Sequence, residues 1–165
     1  MTDLLYSLAE QIGTRLLDRR HRLVVAESCT GGWIAKCVTD VAGSSQWFDC
    51  GFVTYSNEAK VKLLGLSDSL LNRYGAVSRE AVRQMAAGAL AQSQAQFAVA
   101  VSGIAGPGGG MESKPVGTVC FAWQLAGKPC HTEVHQLAGN RSTVREKSVI
   151  IVFDGILSVY DRVTP

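Results

Sequence analysis

Histidine is scarce in this chain, three in 165 residues, and none stands where histidine chemistry needs it. His21 lies in the basic cluster Arg19-Arg20-His21-Arg22, which reads as a solvated helix end. His131 and His135 fall at even spacing on an expected strand, so they share a face but stand too far apart to chelate a metal ion directly. A histidine triad and a metal site are set aside on that ground. Cysteine pairing is missing too. The five cysteines, at 29, 37, 50, 120 and 130, are odd in number and contain no C-x-x-C spacing. That pattern suits free thiols in a reducing cytoplasm better than disulfides or zinc. No run approaches the roughly 20 apolar residues of a membrane span. The opening Met1-Thr2-Asp3-Leu4 lacks the charged-then-apolar layout of a signal peptide. An excess of one charge is also lacking: a net +2 with scattered basic residues argues against a nucleic-acid partner. The expected setting is cytoplasmic, with no membrane partner.

What is present is apolar bulk. With 47% hydrophobic and 18% charged residues, the chain reads as one globular domain over 1–165, large enough to bury a core. Leu4, Leu5, Leu8, Ile12, Leu16 and Leu17 recur at helical steps, predicting an amphipathic helix over 3–20. A strand over 23–27 follows, then a helix from about 31 to 41, a loop through Gly43-Ser44-Ser45 and a strand over 50–55. Asn57 is expected to cap a helix over 58–64 that Gly65 ends. Ser67 caps another over 68–74, stopped by Gly75, and Ser78 opens a helix over 79–94. A buried strand at 97–102 leads into the glycine-rich run 103–110. Two strands, 116–125 and 130–137, pair through the turn Ala126-Gly127-Lys128-Pro129. Gly139-Asn140 opens a last helix to about 161, polar at first and then apolar almost all round, which suggests docking in the core or on a partner. Strands alternating with helices predict an α/β sandwich with a mixed, mainly parallel sheet, the late hairpin adding one antiparallel strand. No internal repeat or interdomain linker interrupts it.

The chemistry concentrates where the first strand should turn into a helix, at Ser28-Cys29-Thr30-Gly31-Gly32. A hydroxyl there sits beside unpaired N–H groups of a helix start, and the glycines let a substrate approach the backbone. Ligand sites of open α/β sheets lie beyond the carboxyl ends of strands, where Ser28, Ser102 and Gly103 should converge. Downstream, Tyr55 and Lys60 supply a phenol and an amine, completing an acyl-transfer set that needs no histidine. Each residue also has a plainer reading. Ser28 or Thr30 can be a helix cap, Tyr55 a strand aromatic and Lys60 a solvated charge. A lysine of ordinary pKa is neutral in only about one molecule in 2,500 at pH 7, and lowering that pKa by roughly 3 units costs about 4 kcal/mol. A protein carries such a cost mainly at a working site. Cys29 is a rival nucleophile, but neighbours at a strand end usually point in different directions, so one of the two faces the crevice. Consecutive N–H groups of the glycine-rich run can hold a phosphate, as can Asn140, Arg141 and Arg145 at a helix start; a flexible turn and surface arginines are the alternative.

The segments ESCTGGW (27–33), GFVTYSNEAK (51–60), GAVS (75–78), SGIAGPGGG (102–110) and KPVGTV (114–119) resemble the CinA C-terminal domain family over nearly the whole chain. The resemblance implies hydrolysis of the carboxamide of nicotinamide mononucleotide to nicotinate mononucleotide and ammonia. It places the nucleophile at Ser28, the base at Lys60 and an assisting hydroxyl at Tyr55. It further implies a three-layer α/β/α fold, homodimers, and neither metal nor cofactor. Backbone N–H groups from Thr30 to Gly32 are expected to hold the oxyanion. The expected substrate-binding set is Thr30, Gly31, Gly32, Ser45, Gly103, Gly106, Arg141 and Arg145. Two departures touch the phosphate side: three glycines follow Pro107 where relatives often have an acidic or hydroxyl residue first, and Asn140 stands where an aspartate is frequent. Two other readings remain open, a non-catalytic nucleotide- or partner-binding module related to competence or DNA damage, and a serine amidase for another small carboxamide.

Overall fold

The computed structural model describes residues 3–163. In chain order the elements are α1 (Asp3–Asp18), β1 (Leu23–Glu27), α2 (Trp33–Thr39), a 3-10 turn (Ser44–Gln46), β2 (Phe48–Val53), α3 (Asn57–Leu64), α4 (Asp68–Tyr74), α5 (Arg79–Ala91), β3 (Phe97–Gly103), β4 (Thr118–Leu125), β5 (His131–Gln136) and α6 (Arg141–Val163). The sheet order is β2-β1-β3-β4-β5. β1 pairs in parallel with both β2 and β3, whereas β4 is antiparallel to β3 and to β5. A single strand therefore runs against the other four, as the late hairpin requires.

Both faces of the central strands are buried, and alternation assigns them to two cores. Leu23, Val25, Phe97, Val99, Phe121 and Trp123 face one core together with α1, α2 and α6. Val24, Ala26, Ala98, Ala100 and Ala122 face the other, with α3, α4 and α5. The result is the three-layer α/β/α sandwich. The apolar half of α6 goes into the first core, where Val149, Val152, Phe153, Ile156 and Tyr160 are buried.

The second core is lined by small residues, so α5 lies close to its neighbours. A Cβ on Gly88 would sit 2.0 Å from the Leu64 carbonyl oxygen at the end of α3. Backbone cannot swing aside as a side-chain tip can. Gly88→Ala is expected to cost about 3 kcal/mol in a urea unfolding titration. It should also reduce activity, because α3 carries Lys60.

Local boundaries depart from expectation for identifiable reasons. α2 begins at Trp33, because Gly31 and Gly32 adopt φ of 61° and 94°, left-handed values that hold the chain in a turn. Ser56, not Asn57, caps α3, its hydroxyl accepting the Ala59 N–H at 3.0 Å. β2 starts and stops two residues early, leaving Thr54 and Tyr55 beyond its end. α5 stops at Ala91 and β4 starts at Thr118. Asn140 does cap α6, accepting from the Thr143 N–H at 3.0 Å.

Candidate active site

The carboxyl ends of β1, β2 and β3 form the floor of the site. Ser28 follows β1 directly and extends its ladder, its N–H donating to Val101 O at 3.0 Å. Beyond β2 the chain turns into α3, and the Ser56 cap sets the helix so that Lys60 points back under the strand ends. Lys60 Nζ lies 3.0 Å from Ser28 Oγ and donates to Thr54 O at 2.7 Å. Lys60 is 1% exposed and Ser28 8%.

This environment suits an amine better than an ammonium. A charged Nζ offers three N–H donors, and the structure provides two oxygen partners. A neutral Nζ donates to Thr54 O and turns its lone pair to the Ser28 hydroxyl, which then donates to it. No carboxylate pairs with Lys60 among the described residues. Burial accordingly holds its pKa below the ordinary 10.5, the one opposing influence being Cys29. Cys29 itself is no rival nucleophile: its thiol is buried, and desolvation pushes its pKa up to about 12.

The loop after Ser28 is held from two sides. Glu27, fully buried, accepts the Thr30 hydroxyl at 2.7 Å and the Gly32 and Ile34 N–H groups at 3.0 and 3.1 Å on one oxygen. Its other oxygen accepts the Ala35 N–H at 2.8 Å. From α6, Arg145 donates through Nε to Cys29 O at 3.1 Å and through Nη2 to Thr30 O at 2.8 Å. Its guanidinium lies 5.3 Å from the centroid of the Trp33 ring. Gly31 N–H donates to Ser28 O at 3.1 Å.

These bonds redistribute the expected oxyanion donors. Of the three amides from Thr30 to Gly32, those of Gly31 and Gly32 are consumed within the loop. The N–H groups of Cys29 and Thr30 have no oxygen acceptor among the described residues. Since C=O and N–H of a trans peptide point in opposite directions, the Arg145 grip on Cys29 O turns the Thr30 N–H away from α6.

The other expected residues divide. The structure brings Tyr55 and Arg141 together, Arg141 Nη2 donating to the Tyr55 hydroxyl at 2.7 Å and Nη1 to Gly106 O at 2.8 Å. Tyr55 is 60% exposed and does not lie between Ser28 and Lys60, which meet directly. Gly103 ends β3 where a Cβ would strike Val119 at 2.7 Å, so it serves close strand packing. Ser45 is not brought to the crevice. It lies in the turn before β2, its carbonyl accepting from Arg22 at 3.3 Å, at the amino end of a sheet whose first strands run parallel. From Leu23 to Ser28 the strand rises about 16 Å at roughly 3.3 Å per residue.

Glu27, Thr54, Trp33 and Lys36 had no role from sequence. Glu27 had a signal, a carboxylate closing an apolar strand run; the Thr54 contribution is a backbone carbonyl and had none. Trp33 and Lys36 line a pocket of about 460 Å³ with Gly31, Gly32 and Arg145. The histidines stand apart, His131 and His135 bonding Glu133 at 2.8 and 2.7 Å, and His21 bonding Tyr160.

The chain is 51% identical over 149 residues to the nicotinamide-nucleotide amidohydrolase PncC of Escherichia coli K12, covering 90% of each chain. It is 48% identical over 157 residues to the protein of the same name from Pseudomonas putida, covering 95% of this chain and 98% of that one. The crystal structure of the competence/damage inducible protein CihA from Agrobacterium tumefaciens superposes with a TM-score of 0.94 at 40% identity, covering 97% of this chain and 98% of that one. The CinA C-terminal domain matches residues 5–160, and the chain belongs to that family.

Proposed function

We propose that this chain hydrolyses the carboxamide of nicotinamide mononucleotide to nicotinate mononucleotide and ammonia, with Ser28 as nucleophile and Lys60 as its base. The observation that carries this reading is the buried Lys60 amine, 3.0 Å from Ser28 Oγ and without an acidic partner. The PncC relatives named above supply the substrate class.

Ser28 Oγ attacks the carboxamide carbon as its proton passes to Lys60 Nζ. The carbonyl electron pair moves onto oxygen, where the N–H groups of Cys29 and Thr30 receive it. Collapse breaks the C–N bond, Lys60 returns the proton to nitrogen, and ammonia leaves. Water then attacks the Ser28 ester with Lys60 again as base, releasing nicotinate mononucleotide and restoring the hydroxyl. Tyr55 assists from the rim, where Arg141 fixes its exposed hydroxyl towards incoming substrate. The phosphate is held by the remaining N–H groups of Arg141 and Arg145, with Lys36 on the same pocket and the glycine-rich loop from Gly103 to Gly106 opposite. The working unit is a cytoplasmic homodimer needing no cofactor, a state that sedimentation would check.

Ammonia release from nicotinamide mononucleotide, its riboside and free nicotinamide tests the reading. The mononucleotide is expected to exceed the riboside in kcat/KM by at least about tenfold, the worth of one charge-assisted phosphate contact. Release from none of the three by folded protein would return the binding-module reading, and release from another carboxamide alone would return the generic amidase.

A further inference from the structure

Glu27 is a fully buried carboxylate with no cation beside it among its hydrogen-bond partners. It accepts from one hydroxyl and three backbone N–H groups, all at 3.1 Å or less. Burying a charge in this way is costly unless every lone pair finds a donor. Here the donors are the start of α2 and the loop that carries Ser28. Three consequences follow from the geometry. Glu27 takes the Gly32, Ile34 and Ala35 amides out of use, so they are closed to substrate. Through the Thr30 hydroxyl it holds the peptide planes on either side of Thr30. The amides of the turn left without an oxygen acceptor among the described residues are those of Cys29 and Thr30, next to Ser28 in a stretch of the turn that is itself buried. Arg145 completes the frame by holding Cys29 O and Thr30 O from the opposite side.

We infer that Glu27 is a positioning residue for acyl transfer: with Arg145 it sets the turn after Ser28 so that the Cys29 and Thr30 amides form the oxyanion hole. The inference rests on the amidase reading for its substrate but not for its geometry. Glu27 never touches the reacting atoms; it acts through the loop. Its removal therefore reaches kcat rather than substrate affinity, and leaves the Lys60 titration in place.

Two variants separate this role from folding. Glu27→Gln removes the charge; with its carbonyl oxygen on the three-donor side, it sets an NH2 group against the Ala35 N–H. Thr30→Val is nearly isosteric and removes only the hydroxyl bond to Glu27. Each is compared with wild type in ammonia release from nicotinamide mononucleotide. Each is also compared in the rate at which a fluorophosphonate modifies Ser28, a reaction in which the Oγ–P bond forms, fluoride leaves and the phosphoryl oxygen occupies the oxyanion position. Thermal melts establish that each variant is folded.

Both rates are expected to fall together, by about 100-fold for Glu27→Gln and about tenfold for Thr30→Val, scaled from the loss of an oxyanion donor. KM should stay within about threefold and the acid limb of the pH profile unmoved, as for an interaction made only in the transition state. Folded variants whose ammonia release and labelling both stay within about twofold of wild type would overturn the inference. If Glu27→Gln does not fold, Thr30→Val decides alone. A wild type that labels at Ser28 yet releases no ammonia would sink the amidase reading, while the labelling rates of the variants still decide the role of Glu27.

Discussion

Ser28→Ala is expected to lower ammonia release from nicotinamide mononucleotide by at least about 10⁴-fold, leaving the residual rate that an oxyanion hole and substrate binding sustain on their own. The size follows from what the residue does. Among the described residues of the crevice, Ser28 Oγ has both a buried base at 3.0 Å and, alongside, backbone N–H groups without an oxygen acceptor. The neighbouring Cys29 cannot substitute, because burial keeps its thiol protonated with a pKa of about 12. The change should cost little stability: Ser28 is bonded into the fold through its backbone N–H, and among the described residues its hydroxyl hydrogen-bonds to Lys60 alone. A discontinuous ammonia assay on protein matched for melting temperature is the check. Activity retained by Ser28→Ala would remove the covalent scheme.

Lys60→Met is expected to lower kcat by about 10³- to 10⁴-fold, the upper range for a general base, and to change two pH dependences. The wild-type rate should rise with pH through the lowered Lys60 pKa, an acid limb below the ordinary 10.5; in Lys60→Met that limb should vanish. Stability should show the complementary sign. The unfolded chain holds the Lys60 proton to higher pH than the folded chain does. Wild-type stability therefore rises with pH between the lowered folded pKa and the unfolded value near 10.5, and is flat in this respect below that window. The methionine variant lacks that rise. Unfolding titrations of both proteins across the window measure it directly. A wild type whose activity and stability show no such limb would mean that Lys60 is charged at its site and is not the base.

The strand-turn-helix pattern around residues 23–39 is enough to place a hydroxyl at the carboxyl edge of the sheet, and a helix over 58–64 stopped at Gly65 is enough to place a lysine nearby, although its cap is Ser56 and not the expected Asn57. Their meeting was not legible, because it depends on how α3 crosses the end of β2. Ser45 was misplaced although parallel pairing of β1 with β2 already puts any residue preceding β2 at the amino edge. The sequence points to the run from Thr30 to Gly32 for the oxyanion donors, but cannot show which of its amides the fold uses. In the structure the glycines are what let the chain turn so tightly that their own amides are consumed. Glu27 looked like the end of a strand because a carboxylate that caps a helix usually stands within a few residues before it, in a loop. Here the cap reaches across from a buried strand. Tyr55 was grouped with Lys60 by proximity in sequence, yet the end of β2 turns its side chain outward to Arg141.

Whether an acyl group rests on Ser28 during turnover is the point on which the account stands, and nucleophilic partitioning measures it. Nicotinamide mononucleotide and the methyl ester of nicotinate mononucleotide would each be turned over in the presence of hydroxylamine. The ratio of hydroxamate to acid is then read for both. A common Ser28 ester predicts the same ratio from the amide and the ester, because both substrates have lost their leaving group before the competing nucleophiles attack. Different ratios, or acid alone, would mean that water attacks the carboxamide directly and that Ser28 is not acylated.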